Sequence, residues 1–476
     1  MATLAAFKQL WLTPILEKDF RITARSLRFF LFITFALIIG SIAMLIGVTE
    51  IRYTSRQSGL DLFWVIYLVQ SICVALAIPA YAAGTIAAER QQGTFDLLRI
   101  TALQPWEVVW GKFIAIMSYV IVWIVGFLPM VAICFLYGGT DPQWVLLAYL
   151  HLLLGSACAV AFCLMLSAAT THPIKATIVG YIFMWLFGFP WVGMGVAFLQ
   201  LWTRQRVSFP GTFWFNYFTI STFLGQIAFW SFCYIAATCL LKPPVWNRST
   251  PLRIWYLAAS LLSVGMMITI AILEKATRDD DVLSGFIIGL FRPAICAAVG
   301  FCGEPASPHQ RLVRKTLQLP VVFRLFMPGR NTALIFVPLV LLLSIVLSWI
   351  PFRGDTGEAS FMVALEAFVF VAFCCVLSGA MRSFIDSAKS RVVTIATLVG
   401  LCLLPLLAYV FEDGDEAGIR WLNPFLAMVE TVDSYYRSRS EAAYGAFLGF
   451  YIIASIVLMV LMVSRTRRTL PASAPS

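Results

Sequence analysis

The sequence predicts an all-α polytopic membrane protein, and three observations support this fold class. Hydrophobic residues make up 61% of the 476 positions and charged residues only 12%, whereas a soluble domain carries roughly 25% charged residues. The mean hydropathy is +0.87. The apolar residues fall in runs of about twenty or more, which is the length that an α-helix needs to cross ~30 Å of hydrocarbon. We therefore expect membrane helices and their connections throughout.

Twelve apolar segments account for most of the chain, and six of them lie on each side of the polar stretch 242–253. This pattern predicts a first transmembrane half at 29–241, a cytoplasmic linker at 242–253, a second half at 254–463 and a tail at 464–476. The predicted spans are 29–48, 62–88, 113–137, 144–168, 174–200, 213–241, 254–273, 282–301, 331–350, 359–380, 391–411 and 441–463.

The distribution of positive charge predicts the orientation. Of the 34 Lys and Arg residues, 23 lie in the regions on the same side of the membrane as the N-terminus. Ten lie on the other side, and Arg292 lies within a span. Because Lys and Arg accumulate on the cytoplasmic side, we expect both termini in the cytoplasm and a bacterial inner-membrane location. The same bias explains the net charge of +10, so no nucleic-acid partner is expected.

The N-terminal segment 1–28 is predicted to form an amphipathic helix on the inner membrane face. It carries five basic residues, and Phe7, Trp11 and Ile15 recur at helical spacing. Such a helix buries its apolar face at the interface while its cations face anionic headgroups. A plain basic membrane anchor is the open alternative. No cleavable signal is expected, since the first apolar run begins only near Phe29.

A weak internal repeat accompanies the six-plus-six pattern. Leu166–Ala169 resembles Leu377–Ala380, and Gly111–Lys112 resembles Gly329–Arg330. The two members of each pair are a little over 210 residues apart. Duplication of a six-helix half would produce this repeat, and a chance match between short apolar patterns remains the alternative.

The most polar short connection in the first half of the chain is 86–112. Within it, Gly93–Thr94 offers a flexible N-terminal cap for a short helix. Phe95 and Leu97–Leu98 supply apolar positions, and Pro105 ends the helix because proline lacks an N–H group. The pattern predicts a short helix at the membrane face that is available to a soluble partner. An ordinary cytoplasmic loop is the alternative interpretation.

This connection resembles the signature of ABC-2-type transporter permeases. One departure is that the usual short Thr-Pro step is spread over Thr101–Pro105. Segment 14–21 also resembles the N-terminal connecting helix of this family, whereas the loop 302–330 in the second half lacks the signature. The residues that carry the resemblance are Glu89, Gly93, Thr94, Asp96, Leu97, Leu98, Pro105, Gly111 and Lys112.

The resemblance implies that the segment is a coupling helix, which docks in a groove of a separate ATP-binding subunit. Glu89 and Arg90 would anchor the inner end of the second span, Gly111 would permit close packing, and Lys112 would set the membrane depth. The residues expected to fill the groove of the ATP-binding subunit are Thr94, Phe95, Leu97 and Leu98.

The implied partners are two copies of the ATP-binding subunit and the lipid bilayer, and a second permease chain is left open. The sequence contains no G-x-x-x-x-G-K-[ST] motif, which holds phosphate and magnesium in many ATPases. We therefore expect ATP and Mg²⁺ in the partner and no catalytic residue, metal site or cofactor in this chain.

Two charged residues in the predicted spans, Arg292 and Glu366, are candidates for an intramembrane polar path. A charge at the bilayer centre costs at least ~2.5 kcal/mol, so it is often functional. The two side chains could pair or line a substrate path; snorkelling or a misplaced span end is the alternative. Gln70 and Gln226 are milder examples of the same signal.

Three functions remain open on the sequence alone. The first is the membrane permease of an ABC-2-type exporter. The second is a secondary transporter with twelve helices in two repeats, driven by an ion gradient. The third is a membrane component of a system that matures exported proteins. The sparse intramembrane charge argues against the second, and the sequence does not indicate the substrate.

Overall fold

The computed structural model describes two compact units, residues 1–243 and 244–476. The described residues form helices, turns and short connections, with no strand among them. They are 21, 27–50, 58–95, 104–138, 140–185, 213–243, 246–273, 294–295, 297–298, 300–302, 304, 318, 320–349, 358–385, 393–394, 397–398 and 441–469.

The first unit contains five long helices and two short ones among its described residues. The second contains four long helices and one helical turn. In the first unit these are α1 (Leu27–Glu50), α2 (Ser58–Ala82), α3 (Thr85–Gln91), α4 (Pro105–Leu136), α5 (Pro142–Ala169), α6 (Pro173–Phe183) and α7 (Phe213–Leu241). In the second they are α8 (Thr250–Leu273), α9 (Val321–Arg324), α10 (Arg330–Trp349), α11 (Glu358–Phe384) and α12 (Glu441–Thr469).

The fold is that of an integral membrane protein, because eight helices in the described part of the chain are long and apolar enough to span a bilayer. Helix α1 shows the lipid-facing pattern clearly: Leu31, Phe35, Ile38 and Ile42 recur every three or four residues and are more than half exposed. A soluble monomer does not expose such a continuous apolar stripe. The all-α polytopic membrane class is thereby confirmed.

Several helix boundaries differ from the predicted spans. Helix α4 begins at Pro105 instead of residue 113, because proline is favourable at the first helical position and Gln104 and Glu107 form a capping box. Helix α12 runs on to Thr469, past the predicted end at 463. The predicted N-terminal helix lies almost entirely outside the described residues, and so does most of the spans 282–301 and 391–411.

The two units share an order of helix packing. In the first unit α1 packs on α4, α4 on α5, and α5 most extensively on α7. In the second unit α8 packs on α10, α10 on α11, and α11 most extensively on α12. The helices that carry the sequence repeat, α5 and α11, hold equivalent places in these two series. The duplication of a six-helix half stays a prediction.

Buried amide side chains in the first unit form hydrogen bonds between helices. The hydroxyl of Tyr149 on α5 donates to Gln70 Oε1 on α2 at 2.9 Å, and Gln226 Nε2 on α7 donates to the carbonyl oxygen of His151 at 3.3 Å. A buried polar group without such a partner would be costly. Gln70 and Gln226 therefore contribute to helix packing.

The close approach of α2 to the α4–α5 turn gives a first testable prediction. A Cβ atom at Gly59 would collide with the carbonyl oxygens of Cys134 and Gly138, which are backbone atoms that side-chain rotation cannot move. We expect Gly59→Ala to lower the thermal unfolding temperature of the detergent-solubilised protein by several degrees. Gly225→Ala is the matched control, because Gly225 is exposed and has open space around it. Equal unfolding temperatures for the two variants would contradict this packing.

Candidate functional site

The candidate site begins where the second predicted span is interrupted at Ala83–Gly84, between α2 and α3. The first N–H groups of any helix have no partner inside that helix. In α3 two of them are satisfied from another helix: the N–H groups of Ile86 and Ala87 donate to Ser167 Oγ on α5, at 2.9 and 3.0 Å. All three residues are fully buried. A single hydroxyl group thus holds the start of α3 against α5.

An ion pair joins α3 to α4. Lys112 Nζ lies 2.9 Å from Glu89 Oε1, and the two side chains are 3% and 16% exposed. The expectation that Lys112 sets the membrane depth does not match this geometry, because its ammonium group points into the protein. A nearly buried lysine remains charged at such a position only when a carboxylate compensates for the lost hydration, and Glu89 provides that carboxylate.

Arg90 joins α3 to the end of α5. Its Nη1 donates to the carbonyl oxygen of Ala168 at 2.6 Å. The last carbonyl groups of a helix lack partners within the helix and carry partial negative charge, so a guanidinium group is favourable there. The same guanidinium lies 5.1 Å from the centre of the Phe95 ring, within the range of a cation–π contact.

Gly93 and Thr94 end helix α3. Gly93 has a φ of +73°, a left-handed conformation typical of the residue after a helix, and its N–H group donates to the carbonyl oxygen of Arg90. Thr94 Oγ1 donates to the carbonyl oxygen of Glu89 at 3.1 Å. The hydrogen bonds of this pair therefore satisfy the end of the preceding helix. The chain is helical again at Thr94 and Phe95, and the expected cap of the next helix stays a prediction because that helix would continue outside the described residues.

Phe95 packs into the core of its own unit and is only 8% exposed. We expected its ring to enter the groove of a partner, and in this structure the ring supports Arg90 instead. Asp96, Leu97 and Leu98 lie outside the described residues. The chain is described again from Gln104, whose N–H group donates to Glu107 Oε2 at 2.7 Å at the start of α4.

The beginning of α4 is also held in place. Pro105 occupies its first turn, and the hydroxyl of Tyr234 on α7 donates to the carbonyl oxygen of Trp106 at 3.1 Å. Gly111, which directly precedes Lys112 on α4, is buried. Both sides of the segment 96–103 are therefore attached to the helix bundle of the first unit.

An open cleft of about 530 Å³ lies beside the interruption between α2 and α3. Its walls come from α2, α3 and α6 and include Tyr81, Gly84, Thr85, Pro173 and Tyr181. The hydroxyl of Tyr181, one of the lining residues, donates to the carbonyl oxygen of Leu76 on α2 at 3.0 Å. One side of the interruption is therefore loosely packed, in contrast to the buried side that faces Ser167.

In the second unit, a buried arginine orders the region before α10. Arg253 is fully buried near the start of α8 and pairs with Glu304. Glu304 Oε2 accepts a second hydrogen bond, from the N–H group of Gly329 at 2.8 Å. The guanidinium lies within 6 Å of the ring centres of Phe301 and Phe336. It donates to the carbonyl oxygens of Leu325, Met327 and Gly329, to Thr332 Oγ1 and to Glu304 Oε2, at 2.6 to 3.1 Å.

A second cation in this unit lies at a repeat position. Arg330, the counterpart of Lys112, is buried and donates to the carbonyl oxygen of Gly379 at 3.5 Å. Gly379 is the repeat counterpart of Ala168, whose carbonyl oxygen accepts the hydrogen bond from Arg90. An arginine thus contacts the carbonyl group of the residue that follows the serine in each member of the predicted repeat.

The proposed intramembrane pair is described only in part. Glu366 lies in the middle of α11 and is 1% exposed, among the core residues of the second unit. Arg292 lies outside the described residues, so the pairing of the two side chains stays a prediction.

The site depends on one residue that sequence reasoning did not assign to it. Ser167 appeared only as part of the repeat Leu166–Ala169, and a serine among apolar residues is usually a helix-packing residue. Its role depends on the interruption of the helix at Ala83–Gly84, some 80 residues earlier in the chain. Comparison of the chain with protein-family models, with curated proteins and with solved structures gives no match.

Proposed function

We propose that this chain is the membrane subunit of an ATP-driven exporter of the ABC-2 type. In this proposal, twelve helices in two six-helix halves cross a bacterial inner membrane with both termini in the cytoplasm. A separate ATP-binding subunit, in two copies, hydrolyses ATP. The segment 96–103 docks on that subunit and transmits its movement to the membrane helices, and the cargo moves outward.

The observation that carries the proposal is the attachment of this segment at both ends. Before it, Glu89 and Arg90 connect α3 to α4 and α5. After it, the capping box and the hydrogen bond from Tyr234 hold the start of α4. A docking element must transmit force without yielding, and an element on a loose loop would move alone. The contacts around 96–103 meet this requirement.

The residues near the segment also favour a partner that lies outside the membrane. Gln91, Gln92, Gly93 and Thr94 are exposed and uncharged at the end of α3, and Gln104 is exposed before α4. Trp106, two residues after Gln104, is 42% exposed. Tryptophan is enriched among the residues that dominate protein-binding surfaces. In the proposal, Leu97 and Leu98 supply the apolar contacts.

A pull-down from the native membrane tests the proposal. We expect an ATP-binding subunit to co-purify with the solubilised chain, and we expect the double variant Leu97→Asp, Leu98→Asp to lose it together with the ATPase activity. Two buried charges at the centre of an interface typically reduce binding by more than about a hundredfold.

Gln143→Asp serves as the control for added charge, because Gln143 is exposed at the far end of α5 from Ser167. It should retain the partner. Absence of any ATP-binding subunit with the native chain, or its retention by the double variant, would contradict the proposal. Transport driven by an ion gradient would then be tested first, with Glu366→Gln as the diagnostic variant.

A further inference from the structure

The polar contacts of α3 connect it to α4 and α5. Ile86 and Ala87 bond to Ser167 on α5, Arg90 bonds to the carbonyl oxygen of Ala168 on α5, and Glu89 pairs with Lys112 on α4. Towards α2, by contrast, the helical hydrogen-bond series is interrupted at Ala83–Gly84. Helix α3 follows α2 in the chain, but its anchoring contacts belong to α4 and α5.

Ser167 is suited to this contact because a hydroxyl oxygen has two lone pairs and accepts two hydrogen bonds at once. The two N–H groups that it binds are adjacent and completely buried. Water therefore cannot replace the hydroxyl easily, and alanine at position 167 would leave both donors without an acceptor. Threonine would keep the hydroxyl group.

The interruption is a local break in the helical hydrogen-bond series. Ala83 and Gly84 adopt a turn, and Pro79 lies one turn earlier within α2. Ala82 and Ala83 are fully buried in the core of the unit. The N–H groups of Ile86 and Ala87 therefore need an acceptor inside the protein, and Ser167 supplies it.

We propose that Ser167 is a positioning residue that fixes α3 to α5, so that movement of the docking segment is passed through α3 to α5. This inference rests on the proposed function, in which the ATP-binding subunit moves the docking segment. The attachment of α3 through Ser167 can be tested on the isolated chain.

Hydrogen–deuterium exchange of the full-length chain in detergent tests the attachment. We expect Ser167→Ala to raise the exchange rates of the amides of Ile86 and Ala87 by about tenfold. Exchange in α2 should remain unchanged, because the two N–H groups that Ser167 accepts belong to α3. Ser167→Thr should restore the native rates, since it retains the accepting oxygen.

Ser71→Ala is the matched control. Ser71 is as buried as Ser167, but its hydroxyl donates to the carbonyl oxygen of Tyr67 within the same helix. It should leave exchange in α3 unchanged. Unchanged exchange at Ile86 and Ala87 in Ser167→Ala, or an equal rise in α2 and α3, would overturn the proposal, because the second pattern indicates general destabilisation.

The complex with the ATP-binding subunit separates this inference from the proposed function. Ser167→Ala should retain the subunit, because the docking segment is intact, and should lose the nucleotide-dependent change in exchange of α5. A response to nucleotide identical to that of the native chain would overturn the positioning role. If the native chain binds no such subunit, the proposed function fails, whereas the exchange of the isolated chain still decides whether Ser167 attaches α3.

Discussion

Replacement of Arg253 by methionine is expected to lower the free energy of unfolding by about 4 kcal/mol. The guanidinium makes five hydrogen bonds from a fully buried position, and methionine replaces none of them. The carboxylate of Glu304 would lose the cation 3.0 Å away. The region before α10 would then lose the contacts that order it. Unfolding by SDS in mixed micelles measures the effect.

Two further variants make this test specific. Arg253→Lys should recover little stability, because an ammonium group lacks the planar fork that binds several carbonyl oxygens at once. Arg382→Met removes a half-buried arginine from the end of α11 and should cost less than about 1 kcal/mol. Full recovery by lysine would show that charge alone matters and would contradict the hydrogen-bonding role.

Replacement of Lys112 by methionine is expected to lower the free energy of unfolding by about 3 kcal/mol. This is the lower end of the range for breaking a buried ion pair, because the Glu89 side chain retains 16% exposure. The methionine side chain has a similar length, so packing is largely retained and the loss reflects the removal of the ammonium group from the Glu89 carboxylate. The same SDS titration measures this loss.

The double variant Glu89→Gln, Lys112→Met should be more stable than Lys112→Met alone, since no charge is then left without its partner. Lys175→Met, at an exposed position on α6, is the control and should be nearly neutral. If Lys112→Met were as stable as Lys175→Met, the attachment of α3 to α4 would not depend on the ion pair, and the docking segment would lack the rigid connection that the proposed function requires.

In each unit an arginine donates a hydrogen bond to a carbonyl group of a long helix. In the first unit, Arg90 binds the carbonyl oxygen of Ala168, and the docking signature lies directly after it. In the second, Arg330 binds the carbonyl oxygen of the counterpart Gly379, and the preceding loop lacks the signature. The two arginines are not counterparts of each other, because Arg330 corresponds to Lys112 in the predicted repeat. The shared feature is therefore the carbonyl group that accepts, and not the residue that donates.

The sequence predicted the features that depend on local chemistry. Long apolar runs predict membrane helices, because in lipid the backbone polar groups must bond to one another, as they do in a helix. The exposed apolar stripe on α1 agrees with this prediction. Glu89 and Arg90 are predicted to be site residues because they lie in the polar connection 86–112, which resembles the ABC-2 permease signature. The start of α4 was placed at 113 although Gln104, Pro105 and Glu107 form a standard helix start, because hydropathy outweighed capping in the prediction.

The sequence by itself determined the membrane class, the approximate helices and the position of the polar connection, since each follows from residues that are close together in the chain. Only the tertiary structure decided what the polar residues do. Lys112 faces Glu89, 23 positions away, and Ser167 binds N–H groups 80 and 81 positions away. The sequence does not reveal which helices are in contact. The role of a buried polar side chain depends on the group that it bonds to, and that group is known only once the packing of the helices is known.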